Sequence, residues 1–158
     1  MFNPYSTIMK KQPLISVIVA SYNYTKYIKE TLDSLIRQTN KSFEVIVVDD
    51  GSKDQSLPII EEYANRFKNI KLYTHPGNQN RGLAETVILG IEKSNGEYIA
   101  FCESDDYWTN NHIEYLQDTI QQNPLANFIV NGIKVINLSN NPEYDSYIEF
   151  SSSFLKKH

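Results

Sequence analysis

The chain has 158 residues, the size of one domain with one sizeable hydrophobic core. Hydrophobic residues make up 41% and charged residues 22%, which excludes disordered and collagen-like classes, and the net charge of −4 offers no basic footprint for nucleic acid or anionic lipid. One cysteine (Cys102) excludes an internal disulfide framework, and no stretch reaches the ~18 apolar residues of a membrane span.

Residues 1–13 (MFNPYSTIMKKQP) are polar and aperiodic, without the apolar core of a signal peptide, and read as a leader to a soluble, cytoplasmic domain. Ile15 to Ala20 is a β-branched run of strand length that suits a parallel strand covered on both faces. Ile28, Leu32, Leu35 and Ile36 then follow helical spacing. Phe43 to Val48 predicts a second strand. Leu57, Ile60, Ala64 and Phe67 predict a second helix, with Pro58 in its first turn, where a missing N–H does least harm. Ile70 to Thr74 is a short third strand, and His75 to Gly82 a loop. A third helix is expected to bury Leu83, Val87 and Ile91, with Gly96 ending it at positive φ. Glu97 to Cys102 predicts a fourth strand. Asn111 with Glu114 resembles a capping box opening a fourth helix on His112, with Ile113, Leu116 and Ile120 inward. Phe128 to Val130 and Lys134 to Leu138 are weaker strand candidates. From Ser139 the chain turns polar, and its last segment reads as a partly ordered helix.

Strands alternating with helices predict an α/β fold, a mostly parallel, Rossmann-like sheet flanked by helices on both faces. Ligands of such sheets bind beyond the carboxyl ends of the strands, where the strand order switches. Three clusters fall at those positions: Ser21-Tyr22-Asn23, Asp49-Asp50-Gly51-Ser52 and Glu103-Ser104-Asp105-Asp106. Taken singly, Asp49-Asp50 reads equally well as a helix cap or turn. Two acidic clusters on one rim would raise each other's pKa unless a cation offset them, and Mg²⁺ characteristically binds one or two carboxylates plus substrate phosphates. Gly51 fits a turn where a ligand nears the backbone. Tyr22 could present its ring to a flat base, and one Asp could accept from a base N–H. Together these residues describe a site for a nucleotide carrying a diphosphate and a metal.

Ser16 to Asn23, Ser34 to Thr39 and Phe43 to Asp54 closely resemble the opening of family 2 glycosyltransferases of the GT-A fold. Asn80-Arg81-Gly82, Gly96 to Phe101 and Glu103 to Trp108 continue the match in order, so the resemblance covers about residues 14–120. It implies a GT-A nucleotide-sugar-binding domain over 14–138, with 139–158 opening a missing acceptor half. By this match Ala20, Tyr22 and Asp50 would hold uracil or another base, with Asp50 or Asp49 accepting from the ring N–H. Glu103, Ser104 and Asp105 occupy the family's Asp-x-Asp motif. Asp105 would be the first ligand of Mg²⁺ or Mn²⁺, Glu103 would support metal or ribose, and Ser104 would lie near the ribose. Asp106 would stand behind them and Trp108 pack beneath. The implied reaction passes a sugar from a nucleotide diphosphate, by expectation UDP, to the hydroxyl of a carbohydrate or lipid-linked acceptor with inversion.

The sequence departs from the family pattern in four places, the first being Ala20-Ser21 where a proline commonly precedes Tyr-Asn. Glu103 replaces the motif's first Asp. Thr86-Val87-Ile88 stands where many relatives carry Ala-Arg-Asn, so a polar contact to the donor is missing, and nearby Arg81 reads as a solvated loop residue. The family's catalytic Asp or Glu would lie beyond His158, because Glu143, Asp145 and Glu149 match no pattern and read as solvated charges. Without an acceptor half the fold is expected to be marginal or to associate with itself or with further domains. A nucleotide-sugar-binding module without turnover is the alternative. A dinucleotide dehydrogenase lacks its Gly-x-Gly-x-x-Gly, and a receiver domain would need its acidic pair after the first strand. His75, His112 and His158 are isolated, which excludes a zinc site of usual spacing, and Cys102 reads as buried packing.

Overall fold

The computed structural model describes residues 15–130 and the backbone of Ser153–Lys156. The order is β1 (Ile15–Ser21), α1 (Ile28–Ile36), β2 (Phe43–Asp49), α2 (Ser56–Arg66), β3 (Ile70–Thr74), a 3₁₀ turn (Pro76–Asn78), α3 (Leu83–Lys93), β4 (Tyr98–Phe101), α4 (His112–Gln122), β5 (Phe128–Val130) and β6 (Ser153–Lys156). They form one six-stranded sheet, β3-β2-β1-β4-β6-β5. β1 pairs in parallel with β2 and β4, and β2 with β3, while β6 runs antiparallel to β4 and β5.

This order explains the helix layers. Crossovers between parallel strands are right-handed, so the two that step from β1 through β2 to β3 place α1 and α2 on one face. The β3-to-β4 connection steps back past β1, which puts α3 on the other. The strands alternate between these layers. Ile15, Val17, Val19, Val45 and Val47 pack in one core with α1, α2 and α4, while Ile18, Ile46, Val48 and Ile99 form a second, with Leu89 and Ile91 of α3 against it. Every residue of β2 is buried, Glu44 and Asp49 included, as in a strand covered on both sides.

Four local expectations are corrected. α3 is most deeply buried at Thr86 and Gly90; of the three residues expected to face inward, Ile91 packs against the core while Leu83 is 62% exposed. A β-carbon on Gly90 would lie 2.6 Å from Ile18 Cγ2, so this close approach decides which face turns inward. Gly96 is not among the positive-φ residues, and α3 already ends at Lys93 with Ser94 as its cap. Gly96 serves instead to let Ser16 approach, since a β-carbon there would sit 2.6 Å from the Ser16 nitrogen. Asn111 is the N-cap of α4 but makes no side-chain cap bond: the Ile113 N–H goes to Gln38 Oε1 at 2.9 Å, and Glu114, the other half of the expected box, accepts from Thr39 Oγ1 at 3.2 Å. The last segment forms strand β6 rather than helix. β4 and β5 each have backbone groups without an adjacent strand, and β6 supplies partners to both. Residues 1–14, the candidate strand Lys134 to Leu138, and Glu143, Asp145 and Glu149 lie outside the described residues.

The amino-terminal edge of the sheet is closed by a buried carboxylate. Glu44, 4% exposed, accepts from Ser16 Oγ (2.7 Å), Lys71 Nζ (2.7 Å) and the Asn95 backbone N–H (2.6 Å). Burial alone would raise its pKa, but these donors outweigh that and hold it below the usual glutamate value.

Candidate functional site

The opposite edge carries the acidic clusters. Strand order reverses at β1, with β2 and β4 flanking it, so the turns after β2 and β4 stand roughly 10 Å apart across one strand. Backbone bonds fix both turns to β1: Asp50 N–H donates to Ser21 O at 2.8 Å and Cys102 N–H to Ile18 O at 3.0 Å. Between them the buried Ser21 Oγ has no hydrogen-bond partner among the described residues.

After β2 the two aspartates divide their work. Asp49, fully buried, caps its own turn by accepting from Ser52 N–H (2.9 Å) and Ser52 Oγ (2.5 Å). Asp50, 4% exposed, faces the β3–α3 loop and accepts from the backbone N–H groups of Arg81 (2.6 Å) and Gly82 (2.9 Å). His75 Nε2 stands 3.6 Å from the same carboxylate. Gly51 has φ +76°, and a β-carbon there would sit 2.7 Å from Asn78 O. The group that crowds Gly51 is therefore the protein's own loop, where a ligand was expected.

The turn after β1 is tied to the same structure. Asn23, at φ +59°, donates its N–H to Ser52 Oγ (2.9 Å) and accepts from Lys53 N–H (2.7 Å). Asp54 accepts from Thr25 N–H (3.0 Å) and Ser56 N–H (2.9 Å), and these bonds outweigh burial and hold it well below the usual carboxylate range. Ala20 is half-buried at the end of β1, and Tyr22 projects beside it, 43% exposed. Side chains of this turn can therefore reach a ligand while their backbone stays fixed.

After β4, Glu103, Asp105 and Asp106 are exposed and Ser104 is buried. Desolvation, then the charges of Asp106 and Asp105, raise the Glu103 pKa; desolvation and Asp105 raise that of Asp106. The Tyr24 hydroxyl is likewise raised, first by the charge of Asp105, then by burial and Glu103. Among the described residues no three His, Cys, Asp or Glu side chains converge as a complete metal cage. Two or three carboxylates with unrelieved repulsion are nevertheless a hard-oxygen donor set that suits a divalent cation completed by phosphate oxygens. The segment is held from below by a polar line made of Thr31 and Ser34 on α1 and Gln38 just past its end. Thr31 Oγ1 donates to Ser104 O (3.0 Å) and Ser34 Oγ accepts from Trp108 N–H (3.1 Å). Gln38, fully buried, donates to Thr109 O (2.7 Å) and accepts from Ile113 N–H (2.9 Å). Trp108 is itself core, 4.3 Å from the His112 ring.

The sequence matches Glycosyl transferase family 2 over residues 16–157. The chain belongs to that family. The putative glycosyltransferase EpsH of Bacillus subtilis is 43% identical over 110 residues, covering 68% of this chain and 30% of EpsH. An uncharacterized glycosyltransferase of Haemophilus influenzae is 37% identical over 114 residues, covering 72% of this chain and 45% of its own. Among solved structures, S. aureus TarS 1–349 in complex with UDP-GlcNAc superposes with a TM-score of 0.72 at 34% identity, over 81% of this chain and 36% of TarS 1–349. The chain thus spans less than half the length of these relatives.

Within this family 2 chain, the fold brings the expected site residues Ala20, Tyr22, Asp49, Asp50, Glu103, Ser104 and Asp105 to one rim. Sequence reasoning placed Asn23 and Ser52 in the rim clusters but not the bonds that tie them together, and it missed the Arg81 and Gly82 amides, His75 and the line of Thr31, Ser34 and Gln38 as groups that hold the site. Of these, Thr31 and Ser34 left a signal, as polar residues at helical spacing on the buried face of α1. Cys102 is buried, and burial first, then the neighbouring carboxylates, push its thiol far up, consistent with packing rather than reactivity. The Arg81 side chain is exposed, as expected.

Proposed function

We propose that this chain is the donor-binding part of a glycosyltransferase that moves a sugar from UDP to an acceptor hydroxyl, with a divalent metal and inversion at the anomeric carbon. The observation that carries this reading is the placement of the Asp50 turn and the Glu103–Asp106 segment on either side of β1, a span that fits one nucleoside diphosphate. The likeness to a UDP-GlcNAc-bound TarS supports a UDP donor.

On this reading Tyr22 stacks on the base and Asp50 accepts from a base N–H at a remaining lone pair, its other lone pairs being taken by the Arg81 and Gly82 amides. Ala20 keeps the base floor small, Asp49 secures the turn, and the free Ser21 hydroxyl is available to the ligand. Asp105 and Glu103 would hold Mg²⁺ or Mn²⁺, which supplies positive charge to the departing diphosphate. Ser104 lies by the ribose. The base that takes the acceptor proton is assigned to none of the described residues.

Calorimetric titration of UDP, GDP and CDP with and without Mn²⁺ tests this. UDP is expected to bind best, Mn²⁺ to tighten it, and Asp105→Ala to remove the metal effect while leaving metal-free UDP binding. Equal binding of all three nucleotides, indifferent to Mn²⁺, would overturn the reading.

A further inference from the structure

Asp50 is gripped by a loop that begins at His75 and ends at Gly82, and the two ends are joined by a buried chain of hydrogen bonds. Thr86 Oγ1 donates its single hydrogen to Gly82 O at 2.9 Å. Toward His75 Nε2, 3.1 Å away, Thr86 can then only accept, which places the ring hydrogen on Nε2. The peptide that receives from Thr86 belongs to the residue whose N–H donates to Asp50 Oδ2 at 2.9 Å. The same Nε2 faces Asp50 Oδ1 at 3.6 Å, too long for a hydrogen bond but close enough for its N–H dipole to favour the carboxylate. His75 is 7% exposed, Thr86 1% and Asp50 4%, so water does not compete in this chain. At the loop's other contact, Asn78 O and Asn80 N sit against Gly51. His75 O also accepts from Asn78 N–H at 2.9 Å, fixing the turn that delivers them.

We infer that His75 is a positioning residue for base selection: through Thr86, which holds the Gly82 carbonyl and so the residue whose N–H grips Asp50, it sets the direction in which Asp50 presents its remaining lone pairs. The inference rests on Asp50 contacting the base, as proposed above. A carboxylate fixed in direction accepts from the N3–H of uracil, whereas cytosine offers an acceptor at that ring position and is refused. Thr86, which stands where many relatives have alanine, becomes a working member of the donor site without touching the donor.

The test is calorimetric titration of UDP and of CDP, in one Mn²⁺-containing buffer, into the full chain and four variants, each checked for cooperative thermal unfolding. His75→Leu is expected to lower the UDP-to-CDP affinity ratio about tenfold, the worth of one well-aligned hydrogen bond, by weakening UDP and not CDP. His75→Gln, whose amide can donate from a similar place, is expected to restore most of the ratio. Thr86→Val, which keeps shape and removes the hydroxyl, is expected to lower the ratio in the same direction, and it answers the question even if His75→Leu does not fold. Asp50→Asn is the reference and should abolish the preference for UDP. A wild-type ratio in both His75→Leu and Thr86→Val would overturn the role of His75 alone. So would a parallel loss of UDP and CDP that His75→Gln does not repair, because that is the mark of a merely structural histidine. A wild-type chain that does not prefer UDP, or an Asp50→Asn variant that still does, would overturn the reading of the site itself.

Discussion

At Gly51 the backbone has φ +76°, and the space where a side chain would begin is filled by Asn78 O and Asn80 N at 2.7 and 2.9 Å. Any other residue meets both the left-handed backbone penalty and a clash with main chain that cannot swing aside. Gly51→Ala is therefore expected to cost about 2–4 kcal/mol of stability in urea unfolding. It should also weaken UDP, because the displaced loop carries the amides that hold Asp50. The sequence showed that a glycine between two acidic positions and Ser52 makes a turn. It could not show that the space was reserved for residues 78–80, which lie far along the chain. The same limit applies to Asp50. Its residue type announced an acceptor, but two of the donors it faces are backbone N–H groups, which no side-chain pattern encodes.

Among the elements, α1 does most to position the acidic segment. One side of it is ordinary core, with Ile28, Leu32 and Leu35 fully buried. Thr31, Ser34 and Gln38 form a second buried line that bonds in turn to Ser104 O, Trp108 N–H, Thr109 O and Ile113 N–H. Gln38→Leu fills the same space but takes from the buried Ser34 carbonyl and the buried Ile113 N–H the partner that Gln38 gives them, a loss of about 2–4 kcal/mol in urea unfolding. In whatever fraction folds, the Mn²⁺ enhancement of UDP binding should shrink, since the segment bearing Asp105 loses its support. The helix was legible from its apolar spacing; its second task was not, because serine and threonine on a helix have many uses. α3 went the other way. Its apolar residues predicted a Leu83–Val87–Ile91 face, yet close approach at Gly90 turned Thr86 inward and left Leu83 and Ile88 exposed at 62% and 48%. Where a helix packs through small residues, hydrophobicity alone misjudges its rotation.

Across the whole molecule, the two edges of the sheet hold their charge differently. At the carboxyl edge, Glu103 and Asp106 crowd each other; at the amino edge, Glu44 is surrounded by donors. The folded pKa of Glu44 lies below its ordinary 4.5, so its contribution to stability is complete above that pH and is lost as pH falls through the lowered folded value. Urea unfolding from pH 7 to 3 should show wild type losing stability below about pH 4.5, and Glu44→Gln should be less stable at pH 7 with a flatter decline in that acid window. The parallel strands were the most legible part of the protein because burial of β1 and β2 on both faces demands mostly apolar, β-branched runs, which both carry. β6 was the least legible, since its pairing is decided by what β4 and β5 lack rather than by its own residues.

That last strand has a consequence for synthesis. The β1-to-β4 units are complete by Phe101, but β4 gains its outer neighbour only when Ser153–Lys156 arrives. While the ribosome is still making the residues between, β4 presents an open ladder to any other nascent chain nearby. The parallel half of the molecule is thus built early and sealed late, and the interval between those two events is its most vulnerable time.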